Sequence, residues 1–325
     1  MGYSTFSIVA YDPDAQAWGV ATQSKFLAVG AVVPWARAGV GALATQAHAN
    51  TSFGPRGLER MASGLSAQET LDRLVAEDEG RAHRQAGLVD ARGNAATFTG
   101  KECYAWAGGR TGKNYAVQGN ILVSEETIIR MAETFETSTG ELAERLVATL
   151  AAGQRAGGDK RGQQSAALLV VREKGGYAGL NDRYIDLRVD DDPRPIDRLR
   201  EILALHYLYF KRPDPDALIP IDRSVARELQ RIARQGRQYA GPVDGEYDAD
   251  TRKAVEALIG MENLEERWQA DSRIDPAVLA FLQRAYPPEE RRLARTKAQA
   301  ARKSPARTKA QATRKTTRKQ TARRR

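Results

Sequence analysis

The sequence predicts an α+β fold of two antiparallel sheets flanked by helices, followed by a small helical domain and a disordered basic tail. Three observations carry this. Strand-like stretches and helical periods come in the order strands, helix pair, strands, helix pair, strands, which is not the strict alternation of a doubly wound fold. A Pro- and Asp-rich stretch, Asp190-Asp191-Asp192-Pro193-Arg194-Pro195, closes that block. The formal charge of +9 is split: from Arg291 onward there are fifteen Lys/Arg and no Asp or Glu, so residues 1–290 hold 50 − 15 = 35 bases against 41 acids, net −6. The folded part is acidic, and the chain's 42% hydrophobic composition is enough to build cores.

The elements read in order as follows. Thr5 to Tyr11 is rich in β-branched and aromatic residues, Asp12-Pro13-Asp14 turns the chain, and Ala17 to Gln23 returns as the second arm of a hairpin. Ala28 to Val33 and Val40 to Gln46 read as two more strands, parted by Pro34 and Gly39. Between Gly57 and Asp78, Leu58, Met61, Leu65, Leu71, Leu74 and Val75 recur three and four apart. The break at Gly64-Leu65-Ser66 and the capping-box pair Ser66 and Glu69 make this two helices. Strands follow at Ala86 to Val89, Ala95 to Thr99 and Tyr115 to Leu122, the first two joined by a turn at Asp90 to Asn94. Ser124 caps a helix containing Ile128, Met131 and Phe135; Thr139 with Glu141 opens another through Leu142, Leu146 and Leu150. After a Gly-rich loop from Ala152 to Gly162, Ser165 to Val171 and Arg183 to Val189 are strands.

The domains expected are residues 1–192, a helix and linker over 193–216 (Ile196 to Phe210, then Arg212 to Asp216), a helical module over 217–288, and the tail 289–325. In the module, Ser224 to Arg234 is amphipathic, Gly241-Pro242-Val243-Asp244-Gly245 is a turn, Asp248 caps a second helix, and a third runs from about Ala277 to Ala285. The tail repeats Ala294 to Ala300 as Ala306 to Ala312 and has too few apolar residues to bury a core.

Several function classes are disfavoured. Cys103 is alone, and His48, His83 and His206 show no ligand spacing, so no metal and no cofactor are expected. The longest apolar run, Phe26 to Ala36, contains Pro34 and is too short to span a bilayer; no membrane association is expected, and with no secretory signal at Met1 to Ser7 the expected location is cytoplasmic.

A set of motifs in one order narrows the reading: Thr5 to Ala10, Gln23-Ser24-Lys25-Phe26, Ala28 to Trp35, Ala38 to Gly41, Thr45-Gln46, Gly54 to Gly57, His83-Arg84-Gln85, Gln118-Gly119-Asn120, Gly157 to Gly162 with Gln164 to Ala166, and Asp186 to Asp190. With these residues the chain resembles a bacterial domain-of-unknown-function family with an Ntn-hydrolase-like fold. The resemblance implies an αββα sandwich and an amide or peptide hydrolase in which one N-terminal residue supplies both nucleophile and, through its free amine, the base. It puts Thr5 in the nucleophile's place, with Lys25 as activator, Asn120 as oxyanion donor and Asp159 as orienting carboxylate. Ser24, Gly119, Arg161 and Ser165 are the substrate-binding candidates. A free amine requires removal of Met1 to Ser4. By residue type alone, Thr5 is equally a β-former, Lys25 an exposed strand-end cation, Gly119-Asn120 a turn pair, and the loop around Asp159 a helix-to-strand connection.

Leu229-Gln230, Gly236, Tyr239, Gly241 to Gly245, Asp250-Thr251 and Ala254-Val255 resemble a peptidoglycan-binding domain, which implies cell-wall-derived fragments as substrates or partners. The alternative is a catalytically silent binding protein of the same fold. Residues 291–325 suit nucleic acid or another polyanion, or merely solubilise the chain, and a sheet edge allows a homodimer.

Overall fold

The computed structural model describes residues 5–289, so the expected removal of Met1 to Ser4 and the expected disorder of the basic tail concern residues outside the described ones. Two compact units divide between Ala204 and Leu205.

The first unit opens with the expected hairpin, β1 (Thr5–Asp12) and β2 (Ala17–Ser24). The Asp12 carboxylate turns the chain by accepting from the Asp14 and Ala15 backbone N–H groups at 3.0 and 3.2 Å. The next stretch corrects the sequence reading. Ala28 adopts φ 53° and Val29–Ala31 is a single 3-10 turn, so the expected strand over 28–33 does not form and β3 is Pro34–Arg37 instead. β4 (Gly41–Ala47) pairs with it. Helices α1 (Phe53–Ala62) and α2 (Ala67–Ala76) follow, and Ser66 and Glu69 form the capping box reciprocally. Then come β5 (Arg84–Asp90), β6 (Ala95–Thr99), β7 (Gly108–Gly112) and β8 (Tyr115–Asn120). α3 (Glu126–Thr137) and α4 (Leu142–Arg155) form where helices were expected, but neither Ser124 nor Thr139 supplies a side-chain cap. α4 continues through what read as the start of a Gly-rich loop, with Gly153 buried in its last turns. β9 (Ser165–Arg172) and β10 (Arg183–Val189) complete the sheets, and α5 (Pro195–Phe210) crosses the unit boundary.

All pairings are antiparallel. One sheet has the order β10-β9-β2-β1-β8-β7, the other β3-β4-β5-β6. The sheets face each other, with α3 and α4 on the outer face of the six-stranded sheet and α1 and α2 on that of the four-stranded one. Leu43, Phe53, Leu71, Leu74 and Leu88 fill the space under α1 and α2.

The layer between the sheets changes character along its length. The β1 residues pointing into it are Thr5, Ser7, Val9 and Tyr11, and their β2 partners are Ser24, Thr22, Val20 and Trp18. At the Val9–Trp18 end the layer is apolar and closed by the stacked rings of Tyr11 and Trp18, 4.8 Å apart. At the Thr5 end it is built of hydroxyls and amides. Burying such groups costs about 1–3 kcal/mol each unless they are paired, so the polar end needs a reason.

The second unit holds β11 (Ile219–Pro220), α6 (Arg223–Gln235), α7 (Ala249–Met261), β12 (Arg273–Ile274) and α8 (Pro276–Ala285). Asp222, Asp248 and Asp275 cap its three helices through their carboxylates. Leu229, Ile232, Val255, Leu258, Val278 and Leu282 form its core. Among the described residues no helix is long and apolar enough to cross a membrane.

Candidate functional site

Thr5 opens one of the two middle strands of the six-stranded sheet, and the register around it lines up half of the residues the sequence singled out. Asn120 of β8 pairs with Thr5, Thr5 pairs with Ser24 of β2, and Ser24 pairs with Ser165 of β9. Directly paired residues share a face, so four polar side chains from four adjacent strands form one row facing the second sheet. All four are buried; Thr5 is 3% exposed. Thr5 Oγ1 donates to Ser24 Oγ at 3.2 Å.

Behind the row lies a network that the sequence reading did not assign. Gln46 Nε2 and Asn120 Nδ2 both donate to the Thr5 carbonyl, at 3.3 and 3.4 Å, and both donate to Gln85 Oε1, at 2.8 and 2.9 Å. Gln85 Nε2 in turn donates to Thr99 Oγ1 and the Gly119 carbonyl, at 2.9 and 2.7 Å. Ser7 Oγ donates to Gln46 Oε1 and accepts from Gln118 Nε2, each at 2.6 Å. Ser7, Gln46, Gln85 and Gln118 are thus a fully connected set of neutral amides and hydroxyls, which fixes the start of β1 from behind. Their signal in the sequence was three glutamines inside strands, where polar residues ordinarily face water.

Asp159 organises the loop in front. It bridges to Leu122 beyond β8, and its carboxylate, 3% exposed as a residue, accepts from the Lys25 backbone N–H at 2.8 Å. It also accepts from the Arg161 backbone N–H at 2.9 Å and pairs with the Arg161 guanidinium at 3.1 Å. Lys25 therefore joins this cluster through its backbone, while its exposed ammonium donates to the Gln163 carbonyl at 3.3 Å. Ser165 Oγ accepts from Val29 N–H at 3.1 Å and donates to the Phe26 carbonyl, holding the turn after Lys25 against the sheet. Gly119 lies next to Asn120 in β8, its carbonyl on Gln85.

Three non-glycine residues take left-handed backbone conformations where strands of this end terminate: Ala28 after β2, Ala47 at the end of β4 and Ile121 after β8, with φ of 53°, 64° and 49°. For β-branched Ile121 this is strained, and such strain is held where surrounding structure over-determines it. The loops leaving β2 and β8, and the one entering β7, also carry exposed apolar side chains: Leu27, Val123 and Tyr104. Cys103 offers no rival nucleophile, because burial pushes its thiol up and keeps it protonated, with Sγ on the Arg84 carbonyl. His48 and His83 contact each other, rings 5.4 Å apart. No cluster of three or more His, Cys, Asp or Glu able to hold a metal occurs among the described residues.

A family model described as "Family of unknown function (DUF1028)" matches residues 5–199, beginning at the residue that opens β1. The chain belongs to this family. A solved DUF1028 structure, from Silicibacter pomeroyi, is 32% identical with a TM-score of 0.58, covering 63% of this chain and 89% of that one. Residues 209–282 match a second model, described as "Putative peptidoglycan binding domain". No curated protein matches the chain. The DUF1028 match spans the whole row from Thr5 to Ser165, the glutamine network and the Asp159 loop.

Proposed function

We propose that the DUF1028 segment is an amide or peptide hydrolase of the Ntn type, with Thr5 as nucleophile after cleavage of the Ser4–Thr5 bond. The observation that carries this is the cross-strand row Asn120, Thr5, Ser24, Ser165 at the polar end of an otherwise apolar layer, with Thr5 first in one of the two middle strands. In the intact chain the Thr5 nitrogen is an amide and cannot act as a base. Once freed, the amine takes the Oγ1 proton as Oγ1 attacks the substrate carbonyl, and returns it to the leaving amine; water then hydrolyses the threonyl ester. Ser24 Oγ, already in hydrogen-bond contact with Oγ1, orients the hydroxyl. Asn120, paired with Thr5 in the sheet, holds the Thr5 carbonyl and supplies a side-chain amide to turn toward an oxyanion. Asp159 ties together the two loops that carry Lys25 and Arg161, whose cations receive anionic substrate groups. Exposed Leu27, Tyr104 and Val123 favour a substrate with an apolar group beside the scissile amide.

The second-domain match supports cell-wall-derived peptides as the substrate source. Residues 291–325, fifteen cations without an acid, support salt-sensitive contact with a polyanion as a separate property.

The test compares the full chain with a chain beginning at Thr5, each treated with an alkyl β-lactone. Ring opening by Oγ1 adds the whole lactone mass to Thr5. Acylation of the Thr5-first chain alone, abolished by Thr5→Ala, is the expected result; no acylation of the Thr5-first chain would overturn the proposal.

A further inference from the structure

The turn Gly241 to Gly245, prominent in the sequence, has no part in the DUF1028 site, and its surroundings have a geometry of their own. Gln230 is fully buried and grips the turn with both ends of its amide. Nε2 donates to Asp244 Oδ1 and the Glu246 carbonyl, each at 3.0 Å, and Oε1 accepts from Gly245 N–H at 2.9 Å. Gly245 has φ 88°, and a Cβ there would sit 2.6 Å from the Arg223 carbonyl oxygen and 3.1 Å from Arg227 Cγ. The turn is therefore seated directly on α6, and it holds Val243 in place as one wall of a groove of about 480 Å³, a volume typical of small-ligand sites.

The apolar lining of the groove is Val225 from α6, Val243 from the turn and Leu279 from α8. Two guanidiniums border it and they differ. Arg231 is saturated: it pairs with Glu228 at 2.8 and 3.0 Å, donates to the Tyr286 carbonyl at 3.0 Å and to Gln235 Oε1 at 3.1 Å. Arg227 is exposed and has no carboxylate partner among the described residues. Among the described lining residues the one carboxylate, Glu228, is engaged by Arg231, and Arg227 carries its positive charge without such a partner. Its planar fork matches a carboxylate in bidentate geometry. Among the described residues no aromatic ring lines the groove, so none of them offers a sugar ring a face to stack on, whereas small aliphatic side chains fit the three apolar residues.

We propose that this groove binds the C-terminal end of a short peptide with small side chains and a free carboxylate, the chemistry of a peptidoglycan stem peptide, with Arg227 on the carboxylate. This rests on the cell-wall reading of residues 209–282. The groove takes the peptide part of the wall rather than the glycan, and recognises a chain end rather than a cross-linked peptide.

The full chain is titrated calorimetrically with diacetyl-Lys-D-Ala-D-Ala and with its C-terminal amide, and sedimented with purified peptidoglycan sacculi. The free acid is expected to bind at least tenfold more tightly than the amide. Arg227→Gln should remove that preference, while Lys253→Gln, exposed on α7, leaves it intact. Equal affinity for acid and amide, or an unchanged preference in Arg227→Gln, would overturn the proposal. Sedimentation with sacculi without peptide binding would sink the groove assignment and leave the wall reading standing; loss of both would sink both. A concentration-dependent dimer that Leu279→Asp dissolves, in a chain that binds no peptide, would assign the groove to self-association instead.

Discussion

Replacing Gln85 by leucine tests whether the buried amides hold the candidate site. Leucine fills nearly the same space and makes none of the four short hydrogen bonds, to Gln46, Asn120, Thr99 and the Gly119 carbonyl, all between 2.7 and 2.9 Å. The Thr99 hydroxyl can rotate to another acceptor. The Gln46 and Asn120 amides fall back on longer contacts with the Thr5 carbonyl, 3.3 and 3.4 Å, and the Gly119 carbonyl loses its side-chain donor. Three buried groups, two of which keep a longer bond, cost about 1–2 kcal/mol each, and set against about 1 kcal/mol of added apolar burial they give a net loss of roughly 2–5 kcal/mol. For a domain of this size each kcal/mol shifts Tm by about 2–4 °C, so a fall of roughly 4–20 °C is expected. The assay is thermal melting of the full chain followed by tryptophan fluorescence, since Trp18, Trp35 and Trp106 lie in the first unit. Gln68→Leu, at an exposed position on α2, is the control and should stay within about 0.5 kcal/mol. A Gln85→Leu chain melting within about 2 °C of the parent would refute the argument that these hydrogen bonds stabilise the site.

The Arg84 guanidinium, with Asn50 and the Gly80 N–H, holds the Asp78 carboxyl down at about 2. A depressed carboxylate contributes stability that is complete above its unfolded value, near 4, and lost as pH falls through about 2. Urea denaturation should therefore show Asp78→Asn weaker than the parent by about 2 kcal/mol at pH 7, the gap closing between pH 4 and 2; a gap independent of pH would contradict this. Gly54 lies under Trp35, where a Cβ would come within 2.1 Å of the indole ring. Gly54→Ala should lower stability by about 1–3 kcal/mol and shift the Trp35 emission, and an unchanged spectrum would show that the ring does not move. Chains starting at Thr5 should hydrolyse or be acylated with a pH dependence set by a freed α-amine, near pH 8, and the full chain should show neither activity.

What the sequence made legible was local. The Ser66–Glu69 box, the Asp12 turn and the Asp248 cap are each satisfied within a few residues, so their spacing is their geometry. The segment 28–33 misleads because its β-branched residues suit a strand, while Ala28 turns left-handed and Val29 is pinned to Ser165, 136 residues away. β7, Gly108–Gly112, has three glycines and a single strand-forming side chain, Thr111, and exists because β8 offers it a partner. Thr5, Ser24, Asn120 and Ser165 could be named one by one, but their alignment is a property of register across four strands. The glutamines were hidden for a further reason. Once both sheet faces are covered, polar no longer means outward, and alternation loses its sign.

The row and the network behind it consist of Ser, Thr, Asn and Gln, none of which changes charge anywhere between pH 2 and 12. The scaffold at the start of β1 therefore has no titration of its own. A bell or step in a pH–rate profile of the cleaved chain reports the groups added to that scaffold, the new amine first among them, and not a loosening of the frame. Because the frame carries no charge, a proton moving between Oγ1 and the amine meets only oriented dipoles in the layer behind it, and the fixed ions that act on it, Asp159, Arg161 and Lys25, all lie on the loop side.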